Sequence, residues 1–368
     1  MAEYKENDVG TSETADEFSH NGVQESKNRS LTLASHLLFT ETNKLNVLDG
    51  DFGAELRRHF EHAGKFGKAF MLHALKVDTL AVYQTHLAYL RAGARIIRTN
   101  TYQASKDDFM TYIGFDDREY SSMVRGAAVL AKKAVKTYGE EMGYDPNSEV
   151  YQLRRPLVAG SCGSYLLSLL DNIPNKWYIS VEVLRELSES ELLRFHGYRV
   201  QELLAAKVDL LAFESVPTVN EVRAVLKLLR NYQTTRAWIS LLCSVDAKLM
   251  DGTDFEVAAA MCYNYLPNQI IAVGAECIDP TVTISVMRML NETRKSKIPF
   301  LLYADKRHFS ITEGAGGPNA TLSQNYLQQL RDAGICYVGG GLDTVAEDMK
   351  KICEQAANLH GSKAKSSK

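Results

Sequence analysis

No charge of one sign dominates this chain: 42 Lys and Arg stand against 45 Asp and Glu, a formal charge of −3 over 368 residues. Such a balance creates no field to draw nucleic acid or anionic lipid, so small molecules are the expected partners. No apolar stretch approaches the roughly 18 residues a membrane span requires. The opening MAEYKENDVGTSETADEF has neither the basic start nor the apolar run of a secretory signal, so a cytoplasmic protein is expected. The six cysteines, Cys162, Cys243, Cys262, Cys277, Cys336 and Cys353, are scattered and show no CxxC spacing. A disulfide framework is therefore not expected in a reducing compartment, and most of the thiols should be buried as small hydrophobes. The sequons at Asn28, Asn291 and Asn319 read as chance matches for the same reason. No apolar run leads into a GxGxxG turn, and the Gly-rich stretch at 314–317 lacks the P-loop lysine pattern and reads as a loop. Histidines form no catalytic cluster; His59 and His62 lie three apart in a charged stretch and read as surface residues.

A globular core is nevertheless well provided for, since 45% of the residues are hydrophobic. Residues 1–30 are polar and poor in aliphatics, as expected of a disordered tail, and 357–368 form a basic flexible tail. Between them eight short apolar runs recur: LNVLDG at 45–50, ARIIRTN at 94–100, PLVAGS at 156–161, VDLLAFES at 208–215, AWISLLCS at 237–244, IIAVGAEC at 270–277, PFLLYAD at 299–305 and CYVGGG at 336–341. The stretches separating them, such as TLAVYQTHLAYLRAG and VNEVRAVLKLLRNY, space apolar residues by three and four, as one buried helix face requires. Eight strands alternating with helices predict one α/β domain over 31–356, a (β/α)₈ TIM barrel. A doubly wound open sheet is the competing architecture. Trp177 and Trp238 are expected to pack apolar surface.

In such a barrel the chemistry gathers where strands end. Those ends supply Asp49 and Asp51, Thr99 and Asn100, Gly160 and Ser161, Glu214 and Ser215, Ser244 and Asp246, Glu276 and Cys277, Tyr303 and Asp305, and Gly339 to Gly341. Asn100 and Asp246 read equally well as helix caps. Glu214 follows the apolar VDLLAF and would sit at the barrel mouth, where an unpaired carboxylate is costly unless water or a cationic ligand meets it.

Taken in order, these segments resemble the homocysteine S-methyltransferase family, which includes betaine-dependent and S-methylmethionine-dependent enzymes. The resemblance spans about 44–355 and rests on LDGDFGAEL at 48–56, AGARIIRTNTYQAS at 92–105, VAGSCGSY at 158–165, DLLAFESVPTVNEV at 209–222, AWISLLCSVDAKLMDGT at 237–253 and AVGAEC at 272–277. It implies a zinc ion held by three cysteine thiolates, which takes the homocysteine sulfur as fourth ligand and keeps it deprotonated. A free thiol, with pKa near ~8.5, is mostly protonated at neutral pH.

Cys277 stands at the first of those ligand positions, with Glu276 before it where the family has Asn. The other two are replaced by Gly341 and Leu342, and the following DTVAED keeps the family's register. Cys336 lies five residues upstream on the same run, roughly 16 Å away in an extended strand, far beyond the ~2.3 Å zinc–sulfur bond. Cys243 ends the fifth run, where relatives also often carry cysteine, and reads as background rather than as a replacement ligand; His308 could reach the pocket only if its loop folded inward. YADKRHF at 303–309 also departs from the family's neutral turn, bringing Lys306 and Arg307 to the rim. The resemblance further implies that Asp49 and Glu214 help hold the amino acid, Glu214 facing its ammonium group, and that the Gly50 backbone lies beside the substrate.

The expectation is thus a homocysteine S-methyltransferase-like protein with a homocysteine-type amino-acid pocket, no bound zinc or other cofactor, and methyl transfer lost or severely weakened. Its catalytic residues are not assigned. The resemblance allows a homo-oligomer. One alternative is an active methyltransferase that uses a non-standard site with Glu276 or Asp305 as base. The other is a structural or interaction barrel.

Overall fold

A computed structural model describes residues 44–167, 181–276, 280–306 and 323–361. The N-terminal tail, Trp177, Cys277, Arg307, His308 and the Gly-rich stretch at 314–317 lie outside them. The eight apolar runs form eight parallel strands: β1 (Asn46–Val47), β2 (Ile96–Arg98), β3 (Leu157–Gly163), β4 (Leu210–Val216), β5 (Ala237–Leu242), β6 (Ile270–Glu276), β7 (Phe300–Ala304) and β8 (Ile335–Gly340). They pair in the order β1-β8-β7-β6-β5-β4-β3-β2, and a parallel bridge from Leu48 to Ile96 joins the two ends. That closure excludes the open doubly wound sheet and gives the (β/α)₈ barrel.

One long helix follows each strand: α1 (Thr79–Arg91), α2 (Asp117–Glu141), α3 (Glu189–Ala205), α4 (Val219–Leu229), α5 (Phe255–Tyr265), α6 (Pro280–Glu292), α7 (Gln324–Asp332) and α8 (Ala346–Gly361). Their starts are written in the sequence. Asp78 accepts the Ala81 amide ahead of α1, and Asp116 with Glu119, then Ser188 with Glu191, form capping boxes for α2 and α3. The last helix runs past residue 356 and buries Leu359. Among the described residues no helix is long and apolar enough to cross a membrane.

Burial sorts the strand residues by twos, as a closed barrel demands. Ile97, Val158, Leu211, Phe213, Ile239 and Val273 join the helices in one outer core. Ile96, Leu157, Ala159, Leu210, Ala212, Trp238, Ala272 and Leu301 form a separate cluster that contains no residue of the eight outer helices, and this fills the lumen. Trp238 is fully buried there.

Candidate active site at the barrel mouth

The alternation that points Ile96, Ala159, Ala212, Trp238 and Leu301 inward turns the same way two residues later, at Arg98, Ser161, Glu214, Ser240 and Tyr303. Glu276, last residue of β6, follows Ala272 and Gly274 in the same phase. The top layer of the lumen is therefore polar, immediately above an apolar plug.

Arg98 lies at its centre. Its Nε donates to Asp49 Oδ1 at 2.7 Å, its Nη1 to Glu214 Oε1 at 2.6 Å and its Nη2 to the Gly50 carbonyl at 2.5 Å. The Arg98 amide also donates to Asp49 Oδ2 at 2.7 Å. The guanidinium lies 4.7 Å from the centre of the Tyr303 ring. Asp49 is 0% exposed and Glu214 2%. Burial pushes the Asp49 carboxyl up to about 6 even though Arg98 pulls it down. Burial alone would lower the Arg98 pKa, but Asp49, Tyr303 and Glu214 outweigh it and hold the guanidinium firmly protonated.

The structure thus brings Asp49, Gly50 and Glu214 together as the sequence suggests, and the cation expected to meet Glu214 is the chain's own Arg98. Sequence reasoning missed Arg98. Its signal is the second of two arginines in the run ARIIRTN, the one at the strand end, where the lumen-facing phase places it.

The second oxygen of Glu214 accepts from the Ser161 hydroxyl. A hydroxyl relay steadies that serine: Thr101 Oγ1 donates to the Ser161 carbonyl at 2.7 Å, and the Ser161 amide donates to Thr99 Oγ1 at 3.0 Å. Opposite, Glu276 accepts from the Ser215 amide at 2.8 Å and from the Ser215 hydroxyl at 2.6 Å. Since Ser215 spends its proton on Glu276, Tyr102 must donate the 2.7 Å bond between the two hydroxyls. Ser215 achieves this from a left-handed backbone, φ 56°, at an irregularity in the β4–β5 register. Such a conformation costs a non-glycine residue on the order of 1–3 kcal/mol. Burial and then the neighbouring Glu214 charge raise the Glu276 pKa. The Tyr303 hydroxyl is buried beside these carboxylates, next to Glu214.

At the rim after β8, the Gly341 amide donates to the Ala304 carbonyl at 2.9 Å and the Leu342 amide to Asp305 Oδ1 at 2.9 Å. A Cβ at 341 would meet that Asp305 oxygen at 2.3 Å, so the approach of the carboxylate requires glycine. Leu342 is 60% exposed. Lys306 pairs with Asp348 at 2.9 Å. Cys243 and Cys336 are buried, with their thiols on the carbonyls of Leu241 and Gly334. Asn100 donates to the Met71 carbonyl at 3.0 Å, and His59 pairs with Glu55 at 3.0 Å.

Residues 46–356 match the family model described as homocysteine S-methyltransferase. A betaine-homocysteine S-methyltransferase of Drosophila melanogaster is 30% identical over 76% of this chain and 84% of its own length. A homocysteine S-methyltransferase of Escherichia coli is 31% identical over 74% and 83%. The metallated crystal form of the homocysteine methyltransferase MmuM from Escherichia coli superposes with a TM-score of 0.69 at 27% identity, covering 88% of this chain and 99% of that one. With the closed barrel and the polar mouth already in place, these matches make the chain a member of the homocysteine S-methyltransferase family.

Proposed function

We propose that this protein is a homocysteine S-methyltransferase-like barrel in which zinc-dependent methyl transfer is lost or severely weakened, and which keeps a small-molecule pocket, of amino-acid type, at the mouth around Asp49, Gly50 and Glu214. The observation that carries the reading is the rim after β8. Where the resemblance calls for two adjacent thiolates stand Gly341, where an added Cβ would meet the Asp305 carboxylate at 2.3 Å, and Leu342, a hydrocarbon. These residues do not fit a thiolate-bound zinc. One remaining thiolate at Cys277 would forfeit most of the ~10–16 kcal/mol that structural zinc sites draw from a full ligand set. The buried Cys243 and Cys336 thiols are turned to the Leu241 and Gly334 carbonyls and supply no substitute.

One observation favours an active alternative. Glu276 has a raised pKa and partial exposure at the mouth, which suit a general base that could take a thiol proton. Without a metal it would deprotonate the sulfur only transiently. The deciding experiment measures the metal content of untagged protein by elemental mass spectrometry, alongside methyl transfer to homocysteine from betaine and from S-methylmethionine. Absence of both zinc and turnover is expected. Stoichiometric zinc with turnover would overturn the proposal, and turnover without zinc that vanishes in Glu276→Gln would establish the alternative.

A further inference from the structure

The two carboxylates that flank the lumen at Asp49 and Glu214 share one internal cation. Each accepts a short bond from the Arg98 guanidinium, at 2.7 and 2.6 Å, and a third guanidinium bond goes to the Gly50 carbonyl. An ammonium group entering from solvent would therefore find the place between the two carboxylates taken, and would have to lie against a fixed positive charge. Two of the five guanidinium N–H bonds remain uncommitted to the described residues, on a side chain that is 14% exposed. The neighbouring Tyr303, 4% exposed, keeps its hydroxyl buried beside Glu214 and packs its ring against the guanidinium. The uncommitted Arg98 N–H bonds present donors to an incoming oxygen.

We infer that Arg98 is the specificity-determining residue of this pocket: it takes the place of a ligand's ammonium between Asp49 and Glu214, so that the site selects small molecules that carry a carboxylate or carbonyl oxygen and lack an ammonium group. The inference rests on the reading of the mouth as a ligand pocket and replaces its amino-acid ligand by the deaminated class. Discrimination comes from the repulsive element as much as from the attractive one. A free amino acid brings a positive charge to Arg98, whereas the corresponding acid without its amine brings only acceptors. Glu276, already bonded twice by Ser215, is left to the far side of the lumen.

The test compares two probes on the unmodified protein by isothermal titration calorimetry: L-homocysteine and γ-mercaptobutyrate, which is the same thiol acid without its amine. Binding of γ-mercaptobutyrate at least about tenfold tighter, a gap of about 1.4 kcal/mol, is expected. Tighter binding of homocysteine, or equal binding of the two, overturns the inference while leaving the pocket reading standing. Binding of neither sinks the pocket reading and the inference with it. In Arg98→Met, with near-ultraviolet circular dichroism confirming the fold, the preference should reverse toward homocysteine; an unchanged preference in a folded variant also overturns the inference. Because the first comparison uses the parent protein, it decides between these outcomes even where the variant fails to fold.

Discussion

At the scale of single residues, the mouth of the barrel sets one cation against three carboxylates, Asp49, Glu214 and Glu276, in a layer sealed below by Trp238 and its apolar neighbours. Removing the cation alone should therefore be costly. Arg98→Met is expected to destabilise the fold by about 3–5 kcal/mol, the range for a buried charge left without its partner. Neutralising both carboxylates in the same chain, as Asp49→Asn and Glu214→Gln, should recover most of that loss; urea midpoints of the parent, single and triple variants provide the check. Asp49 also makes stability depend on pH in a defined direction. Its folded pKa of about 6 lies above the ordinary carboxyl value of 3.8, so the folded state binds the extra proton and the unfolded state releases it first. Its contribution is thus most favourable below about 4, declines as pH rises to about 6, and is constant above. The stability difference between parent and Asp49→Asn should shift through that window and then level off; a flat difference from pH 4 to 7 would contradict the burial argument. Asp49 and Glu214 were legible because strand ends in a barrel converge, and Gly50 only through the family resemblance. Arg98 escaped because a cation inside an apolar run announces itself only once the phase of β2 is known.

Among the elements, the longest helix, α2, offers a test in which propensity and packing disagree. It contains two glycines. At Gly126 an added Cβ would meet nothing within 4 Å, whereas at Gly139 it would fall 2.2 Å from the Tyr151 ring. Tyr151 belongs to the short helix Glu149–Arg154, and its hydroxyl donates to the Val135 carbonyl of α2. Gly126→Ala should stabilise by about 0.5–1 kcal/mol, the intrinsic advantage of alanine in a helix. Gly139→Ala should destabilise by about 1–3 kcal/mol despite the same propensity gain, because the ring must move. Thermal unfolding of the two variants beside the parent distinguishes these signs. Helix positions were readable from three- and four-residue spacing and from their caps, and strand positions from apolar runs. What the sequence withheld was the short connecting helix and the left-handed Ser215. Both depend on contacts across the fold, with Val135 in one case and Glu276 in the other.

For the whole molecule, closure is uneven. β5 and β6 share six paired positions and β3 and β4 five, whereas β1 pairs with β8 at two and meets β2 at the single Leu48–Ile96 bridge. Two further amide bonds, Arg95 to the Val47 carbonyl at 2.8 Å and Asp49 to the Ile96 carbonyl at 3.1 Å, complete that junction. Local opening follows the density of such bonds. Hydrogen exchange read by mass spectrometry should therefore be faster in peptides covering 45–50 and 95–99 than in those covering 237–242 and 270–276; the reverse order would show that closure is uniform. Eight apolar runs sufficed to read the barrel, but not where its ring is thinnest, since strand length after folding is set by neighbours. Arg98 extends from β2 and grips Asp49 and Gly50, which follow β1, so the guanidinium at the barrel mouth is also a rivet across the weakest joint of the ring. On the proposed reading, ligand choice and barrel integrity fall on one side chain, and any lineage that exchanged this arginine would have to strengthen the joint elsewhere.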